Sequence, residues 1–212
     1  RSFRWGMGWF IFSEVMFFAA FFGALFYVRM FAIPWLGGEG AKGVSALLWP
    51  DFVATWPLLN PPDTSIAGPE QVFSPWQLPL VNTLILITSS ITLTVAHEAL
   101  KVGDRKTCRN WLTGTVLLGC CFIMIQGIEY YEAYAHYGIT LEAGIFGATF
   151  FILTGFHGVH VIIGTLILAA MLVRIIKGHF GDENHFGFEA SCWYWHFVDV
   201  VWVGLFIFVY VL

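Results

Sequence analysis

The sequence predicts an all-α integral membrane protein, a bundle of five transmembrane helices. Composition is the first observation: 58% of the side chains are apolar and only 11% are charged, whereas about a quarter of the residues in an average soluble domain are charged. The second observation is that five apolar windows are each long enough to cross a hydrocarbon core, which takes about 20 residues of helix. Together they place the chain in a bilayer.

Each window has its own justification. In chain order, the five windows cover 5–31, 77–99, 110–128, 144–173 and 190–212. The first contains only two charged side chains, Glu14 and Arg29, and basic residues bound the second and third windows at Lys101 and Arg109. The fourth exceeds the length that one span needs, so we expect it to tilt or to extend beyond the bilayer. The fifth runs to the chain end.

Lysine and arginine predict the orientation, because cytoplasmic segments of membrane proteins carry the excess of positive charge. With the N-terminus inside, most basic residues fall on the inner side, namely Arg1, Arg4, Lys101, Arg105, Lys106, Arg109, Arg174 and Lys177. Only Arg29 and Lys42 fall outside. We therefore expect the N-terminus inside and the C-terminus outside.

The long connection at about 34–76 is predicted to be an irregular outer loop. Its prolines are Pro34, Pro50, Pro57, Pro61, Pro62, Pro69 and Pro75, and proline in a helix interior breaks the helix. Trp35, Trp49, Trp56 and Trp76 also lie there, and tryptophan favours the headgroup level. We expect the loop to fold against the outer interface or a partner, and residues 1–212 to form a single transmembrane domain.

Charge and cysteine patterns exclude several classes of function. The net charge is −4 and no basic face is apparent, so nucleic acid is not an expected partner. The four cysteines lack CxxC or histidine-spaced patterns and are interpreted as packing residues, which leaves no predicted metal site. No nucleophile, P-loop or dinucleotide-binding motif occurs.

Glu14 lies near the middle of the first window, in FIFSEVMFFAAFF, without a basic residue one turn away. Because burial in hydrocarbon disfavours the charged form, we expect it to be protonated or neutralised by a partner from elsewhere. It is either a site for proton handling or lipid contact, or a neutral hydrogen-bonding residue. Glu129 and Glu132, by contrast, are placed at the outer interface, where a carboxylate costs little.

Polar residues recur on one face of the last window. Glu189, Cys192, His196 and Asp199 follow at steps of three or four. His196 could pair with Asp199, and the Trp195 indole could cap the same carboxylate. We interpret this stripe as a helix-packing or subunit contact, with a proton relay or ligand site as the alternative.

His157 and His160 lie in TGFHGVHV, in the middle of the fourth window. Two histidines at one depth on facing helices could ligate a haem. His196, however, lies nearer the inner surface, so no matched pair of ligands is evident. Small residues such as Gly155, Gly158 and Gly164 let helices approach closely, and we interpret both histidines as structural hydrogen-bonding groups.

Several motifs in order resemble subunit III of the haem–copper cytochrome c oxidases. They are SEVMFF at Glu14, TVAHEAL and GDRK at 94–106, EYYEA at 129, TGFHGVHVIIG at 154 and HFGFEASCWYWHFVDVVW at 185. The resemblance implies a noncatalytic subunit of a proton-translocating terminal oxidase. Such a subunit binds phospholipid, supports proton uptake and oxygen reduction, and carries no redox centre. Its implied partners are oxidase subunits I and II, which carry haem and copper, and cytochrome c as electron donor.

Carried over by position, the resemblance assigns Glu14 as the proton-sensitive or lipid-facing residue and Arg174 as a lipid headgroup candidate. His157, His160, His196 and Asp199 also fall on family motif positions. Members with seven helices have two spans before SEVMFF, and we expect this chain to lack them. The loop at 34–76 is longer than in compact mitochondrial members, which favours a bacterial plasma membrane over the mitochondrial inner membrane.

Three alternatives stay open from the sequence. The nearest is the equivalent subunit of a quinol oxidase, which differs in the electron donor of the assembly. The other two belong to different classes, a b-type haem electron carrier and a small proton-coupled transporter.

Overall fold

The computed structural model describes residues 2–40, 42–180 and 185–212. Within those ranges the regular structure is entirely helical, and five helices are long and apolar enough to cross a membrane. The all-α fold and the number of spans are thus confirmed. The orientation with the N-terminus inside stays a prediction, and Arg1, which is expected on the inner side, lies outside the described residues.

The first span is longer than the sequence predicts. Helix α1 covers Ser2–Tyr27, a π-helical segment covers Val28–Ala32, and the short helix α2 covers Ile33–Leu36. The path stays helical past Pro34 because this residue lies in the first turn of α2, where its missing N–H is not required. The π-helical segment joins the two α-helices without a loop.

The other four spans exceed or match their predicted windows. They are α3 (Leu78–Lys101), α4 (Arg105–Ala135), α5 (Gly144–Ile176) and α6 (Phe186–Leu205), the last continued by a π-helical segment at Phe206–Val211. Helix α4 begins earlier than predicted because Asp104 caps it: the Asp104 carboxylate accepts the backbone N–H of Thr107 at 3.0 Å. Hydrogen bonds from Thr107 also hold the pKa of Asp104 below its usual value.

The chain divides into two compact units, which we describe one at a time. Unit 1 comprises Arg1–Glu14, Ser74–Ile128 and His157–Leu212, and unit 2 comprises Val15–Phe73 and Glu129–Phe156. The single transmembrane domain at 1–212 stays a prediction.

Unit 1 is built around the antiparallel pair α3 and α6. Trp202 Nε1 donates to Thr83 Oγ1 near one end of the pair, and the rings of His97 and Phe188 lie 5.7 Å apart near the other. Trp195 and Trp202 are both 0% exposed, so the tryptophan-rich stretch of α6 forms the core of this unit.

Unit 2 contains most of the long loop, packed through aromatic contacts. The Trp56 ring lies 5.5 Å from the Phe146 ring. The Arg29 guanidinium lies over the same Trp56 ring, 5.3 Å from its centroid. Phe73 packs on Tyr137 at 4.7 Å. Loop tryptophans therefore serve in part as internal packing residues of unit 2.

Candidate functional site

Glu14 and His160, which the sequence singles out separately, meet inside unit 1. Glu14 Oε2 lies 2.9 Å from His160 Nε2, so α1 supplies the carboxylate and α5 the imidazole. The side chains are 21% and 13% exposed, respectively. A carboxylate and an imidazole at this distance share a hydrogen bond and form an ion pair when the imidazole is protonated. The partner expected for Glu14 is therefore a histidine.

A groove of about 360 Å³ opens beside this pair. Its lining is mostly apolar and comes from α1, α5 and α6, with Met7, Phe10, Glu14, His160, Ile163, Ile167, Ala190, Ser191 and Tyr194. The Phe10 and Tyr194 rings are stacked across it at 6.2 Å. Such a groove can accept a hydrocarbon chain along its length while the Glu14–His160 pair offers one polar contact.

Glu189 forms an ion pair with Arg4 at one end of unit 1. Arg4 Nη2 and Nε donate to Glu189 Oε2 at 2.9 and 3.2 Å. The Arg4 side chain is 63% exposed, so the pair contributes at most about 1 kcal/mol. A second groove, of about 530 Å³, is lined by Arg4, Trp5, Gly8 and Trp193. We call this end of unit 1 the basic end.

Arg174, the lipid headgroup candidate, lies at the last turn of α5 and is exposed. Its guanidinium carbon lies 4.4 Å from the centroid of the Phe180 ring. Arg105 donates to the Phe180 carbonyl, so two cationic side chains are held near the segment that leads to α6. Two positive charges therefore lie beside Phe180.

His157 has a different hydrogen-bond partner from His160. Its Nε2–H donates to the Val198 carbonyl at 3.1 Å, and its ring lies 5.1 Å from the Trp202 ring. The residue is 1% exposed. His157 thus faces α6 while His160 faces Glu14, and the two imidazoles do not converge on one ligand. Among the described residues, no three His, Cys, Asp or Glu side chains are grouped to hold a metal ion.

The polar stripe of α6 contacts two different helices. Glu189 pairs with α1, whereas His196 Nδ1 lies 2.6 Å from Ser90 Oγ of α3. Asp199 lies beside the same hydroxyl and imidazole. The expected Trp195 cap on Asp199 is wrong, because Trp195 Nε1 donates instead to Ser89 Oγ at 3.0 Å.

Sequence reasoning missed the polar face of α3. Its buried polar side chains are Asn82, Thr83, Ser89, Ser90 and Thr92. Three of them meet α6 through Trp202, Trp195 and His196, and Thr92 Oγ1 lies 2.8 Å from Thr115 Oγ1 of α4. The available signal was the run of small polar residues in LVNTLILITSSITLT, with a seven-residue repeat from Thr83 through Ser90 to His97.

Glu129 and Glu132, both expected at the outer interface, differ in their burial within the protein. Glu129 is 0% exposed, whereas Glu132 is half-buried, and the depth of both in the membrane stays a prediction. The next residue, Tyr130, bonds Thr154 at 2.7 Å between their hydroxyl oxygens. Glu129 is therefore buried on the inner face of this helical segment, whereas the adjacent Tyr131 is exposed, and the sequence did not predict this burial.

Comparison with known proteins places this arrangement in a family. The sequence profile of the family described as cytochrome c oxidase subunit III matches residues 50–212. The chain belongs to the cytochrome c oxidase subunit III family. Relatives named cytochrome c oxidase subunit 3 from Gadus morhua and Salmo salar are each 43% identical over 210 residues, and one from Oncorhynchus mykiss is 42% identical. Each alignment covers 99% of this chain and 69% of the relative.

Membership in the subunit III family has three consequences. The chain is a subunit of a cytochrome c oxidase complex, other oxidase subunits are its partners, and it is a multi-pass integral membrane protein. The relatives cited come from fish, so they do not support the expected bacterial plasma membrane and lean against it.

Proposed function

We propose that this subunit III chain binds phospholipid and supports proton uptake and oxygen reduction by the catalytic subunit, without holding a redox centre itself. Subunits I and II are its partners, with haem and copper in those partners and cytochrome c as electron donor. The observation that carries the proposal is the Glu14–His160 pair beside an apolar groove.

The pair gives the groove a site for a proton. One proton bridges the Glu14 carboxylate and the His160 imidazole across 2.9 Å. Unpaired carboxylates inside a membrane span are costly, and residues of this kind are commonly functional. Because both side chains are partly exposed to the groove, whatever occupies the groove alters the surroundings of this proton.

The groove and Arg174 together match a phospholipid. Met7, Ile163 and Ile167 offer apolar contact for an acyl chain. Arg174, which is exposed, supplies positive charge for the phosphate, and a basic side chain near an anionic lipid surface contributes about 1 kcal/mol. This supports a role for Arg174 in headgroup binding and for Glu14 near the acyl chain.

Replacing Glu14 by Gln in the intact oxidase tests the proposal. Glutamine keeps the size of the side chain but cannot become a carboxylate, so we expect slower proton uptake during turnover or less phospholipid retained per complex. Both are measured on the purified complex, by stopped-flow pH indicator and by lipid phosphorus analysis.

Glu98→Gln is the matched control. Glu98 lies on α3 with a side chain 63% exposed and is paired only with Lys101 among the described contacts. We expect this variant to match the wild type in both measurements. If Glu14→Gln also matches the wild type in both, the proposed role of Glu14 is wrong.

The choice of cytochrome c over quinol as donor rests on the names of the relatives. A copper-binding subunit II in the purified complex supports it, and a quinol oxidase subunit II that lacks copper contradicts it.

A further inference from the structure

Two carboxamide side chains are buried in unit 1 without a protein partner. Asn82 of α3 is 0% exposed and Gln126 of α4 is 7% exposed. Within the described ranges, neither the oxygen nor the nitrogen of either carboxamide forms a hydrogen bond. Leaving a buried polar group unsatisfied costs about 1–3 kcal/mol. Four such atoms in a membrane span require a partner that the described side chains do not provide.

The two carboxamides lie at one depth. Helices α3 and α4 are antiparallel and joined by a short turn, and the Thr92–Thr115 hydrogen bond fixes their alignment. From that bond, Asn82 lies about 15 Å along α3 and Gln126 about 16 Å along α4, at 1.5 Å per residue. Both steps lead away from the basic end.

Trp202 connects the neighbours of both carboxamides. Its Nε1 donates to Thr83, the residue after Asn82, and its ring lies 4.8 Å from that of Phe122, one turn before Gln126. A shift of seven residues toward the basic end leads from Asn82 to Ser89 on α3, from Gln126 to Gly119 on α4 and from Trp202 to Trp195 on α6. There the indole N–H bonds Ser89, and a side chain on Gly119 would meet the ring at 3.0 Å.

We call these two sets of positions the Trp195 layer and the Trp202 layer. They differ in whether the tryptophan N–H bonds the side chain at the equivalent α3 position. In the Trp195 layer the tryptophan itself satisfies Ser89. In the Trp202 layer the indole N–H goes to Thr83, so Asn82 receives no bond from it and Gln126 stands where the other layer has glycine. We infer that Asn82 and Gln126 bind internal water between α3 and α4.

Water fits the chemistry of this pair. A water molecule donates two hydrogen bonds and accepts two, and each carboxamide presents one acceptor and one donor group. Buried waters typically make two to four bonds to otherwise unsatisfied polar groups. A desolvated calcium ion takes six to eight oxygen ligands, whereas the two carboxamides provide one oxygen each. An apolar ligand would leave the four polar atoms unsatisfied.

A cryo-electron microscopy map of the intact oxidase, at a resolution that shows ordered water, tests this inference. We expect a density peak within hydrogen-bonding distance, about 2.7–3.2 Å, of both carboxamides. A direct Asn82–Gln126 bond with no peak, or bonds from both to a partner subunit, would overturn it.

Variants provide a second measurement. Asn82→Leu and Gln126→Met keep the approximate shape of each side chain but remove its polar atoms, so each should abolish the peak. Asn110→Leu, an exposed position on α4, should leave it unchanged. A peak that survives in both Asn82→Leu and Gln126→Met would contradict the inference, and if neither variant assembles, the wild-type map decides.

Discussion

Trp195 is the residue at which most helices of unit 1 meet. Its indole N–H bonds Ser89 of α3, and its ring would lie 3.0 Å from a β-carbon on Gly119 of α4 and 2.8 Å from one on Gly164 of α5. The sequence predicted a packing role for this tryptophan-rich segment. It assigned the wrong hydrogen-bond partner to Trp195, because local spacing favours Asp199 whereas Ser89 lies 106 residues away.

Ser89→Ala tests the hydrogen bond to Trp195. Removing the hydroxyl leaves a buried indole N–H without its acceptor, so we expect a loss of about 1 kcal/mol of stability, within the range measured for bonds between membrane helices. Thermal unfolding of the subunit in the purified complex measures the change.

Thr88→Ala is the control for this substitution. Thr88 is the preceding residue, is exposed, and bonds only the Leu84 carbonyl of its own helix among the described contacts. Equal thermal midpoints for Ser89→Ala and Thr88→Ala would show that the bond to Trp195 does not stabilise the subunit.

At the scale of elements, α3 and α6 pair through polar contacts. In this antiparallel pair, Thr83 meets Trp202, Ser90 meets His196 and His97 meets Phe188. The sequence predicted both helices, because apolar length alone identifies a span. It did not predict their pairing, since small hydroxyl residues are common in membrane helices for several reasons.

Close approach of α5 and α6 leads to a prediction for Gly164. A methyl group at this position would lie 2.8 Å from the buried Trp195 ring. Because that ring is held on several sides, we expect Gly164→Ala to destabilise the subunit by about 1–3 kcal/mol. The measurement is the thermal midpoint of the subunit in the complex.

Gly158→Ala, in the same helix, is the matched variant. Among the described residues, no atom lies within 4 Å of the added methyl group apart from the nearby backbone of its own helix, and alanine is the better helix former. We expect Gly158→Ala to be neutral or slightly stabilising. A Gly164→Ala variant that unfolds at the same temperature as Gly158→Ala would contradict the close approach.

At the scale of the whole molecule, sequence reasoning located the five spans because membrane thickness sets their length locally. It did not locate the helix past Pro34, the early start of α4 at Arg105 or the burial of Glu129. Those features depend on a π-helical segment, a cap and tertiary packing. Glu14 and His160 were both selected as candidate residues, yet their pairing required the structure because 146 residues separate them.

The predicted orientation is testable by labelling from one side of the membrane. Lys106→Cys, in the first turn of α4, should react with a charged maleimide added from the inner side, and Asp63→Cys, in the long loop, from the outer side. Both positions are exposed or half-buried.

The background for this labelling carries Cys120→Ser, because Cys120 is an exposed native thiol. Helix α3 lies between the long loop and α4. Reaction of both introduced cysteines from the same side would therefore contradict the prediction that α3 crosses the membrane. Reaction of each from the opposite side to that expected would reverse the orientation.

The hydroxyls of α3 also bear on how the chain is made. Thr83 and Ser89 donate their hydroxyl hydrogens to the Pro79 and Leu86 carbonyls of their own helix. Their hydroxyl oxygens accept the indole N–H groups of the α6 tryptophans. During synthesis α3 leaves the ribosome long before α6. Since its hydroxyl hydrogens are already bonded, α3 can enter the lipid early and remain there until α6 arrives to complete the pair.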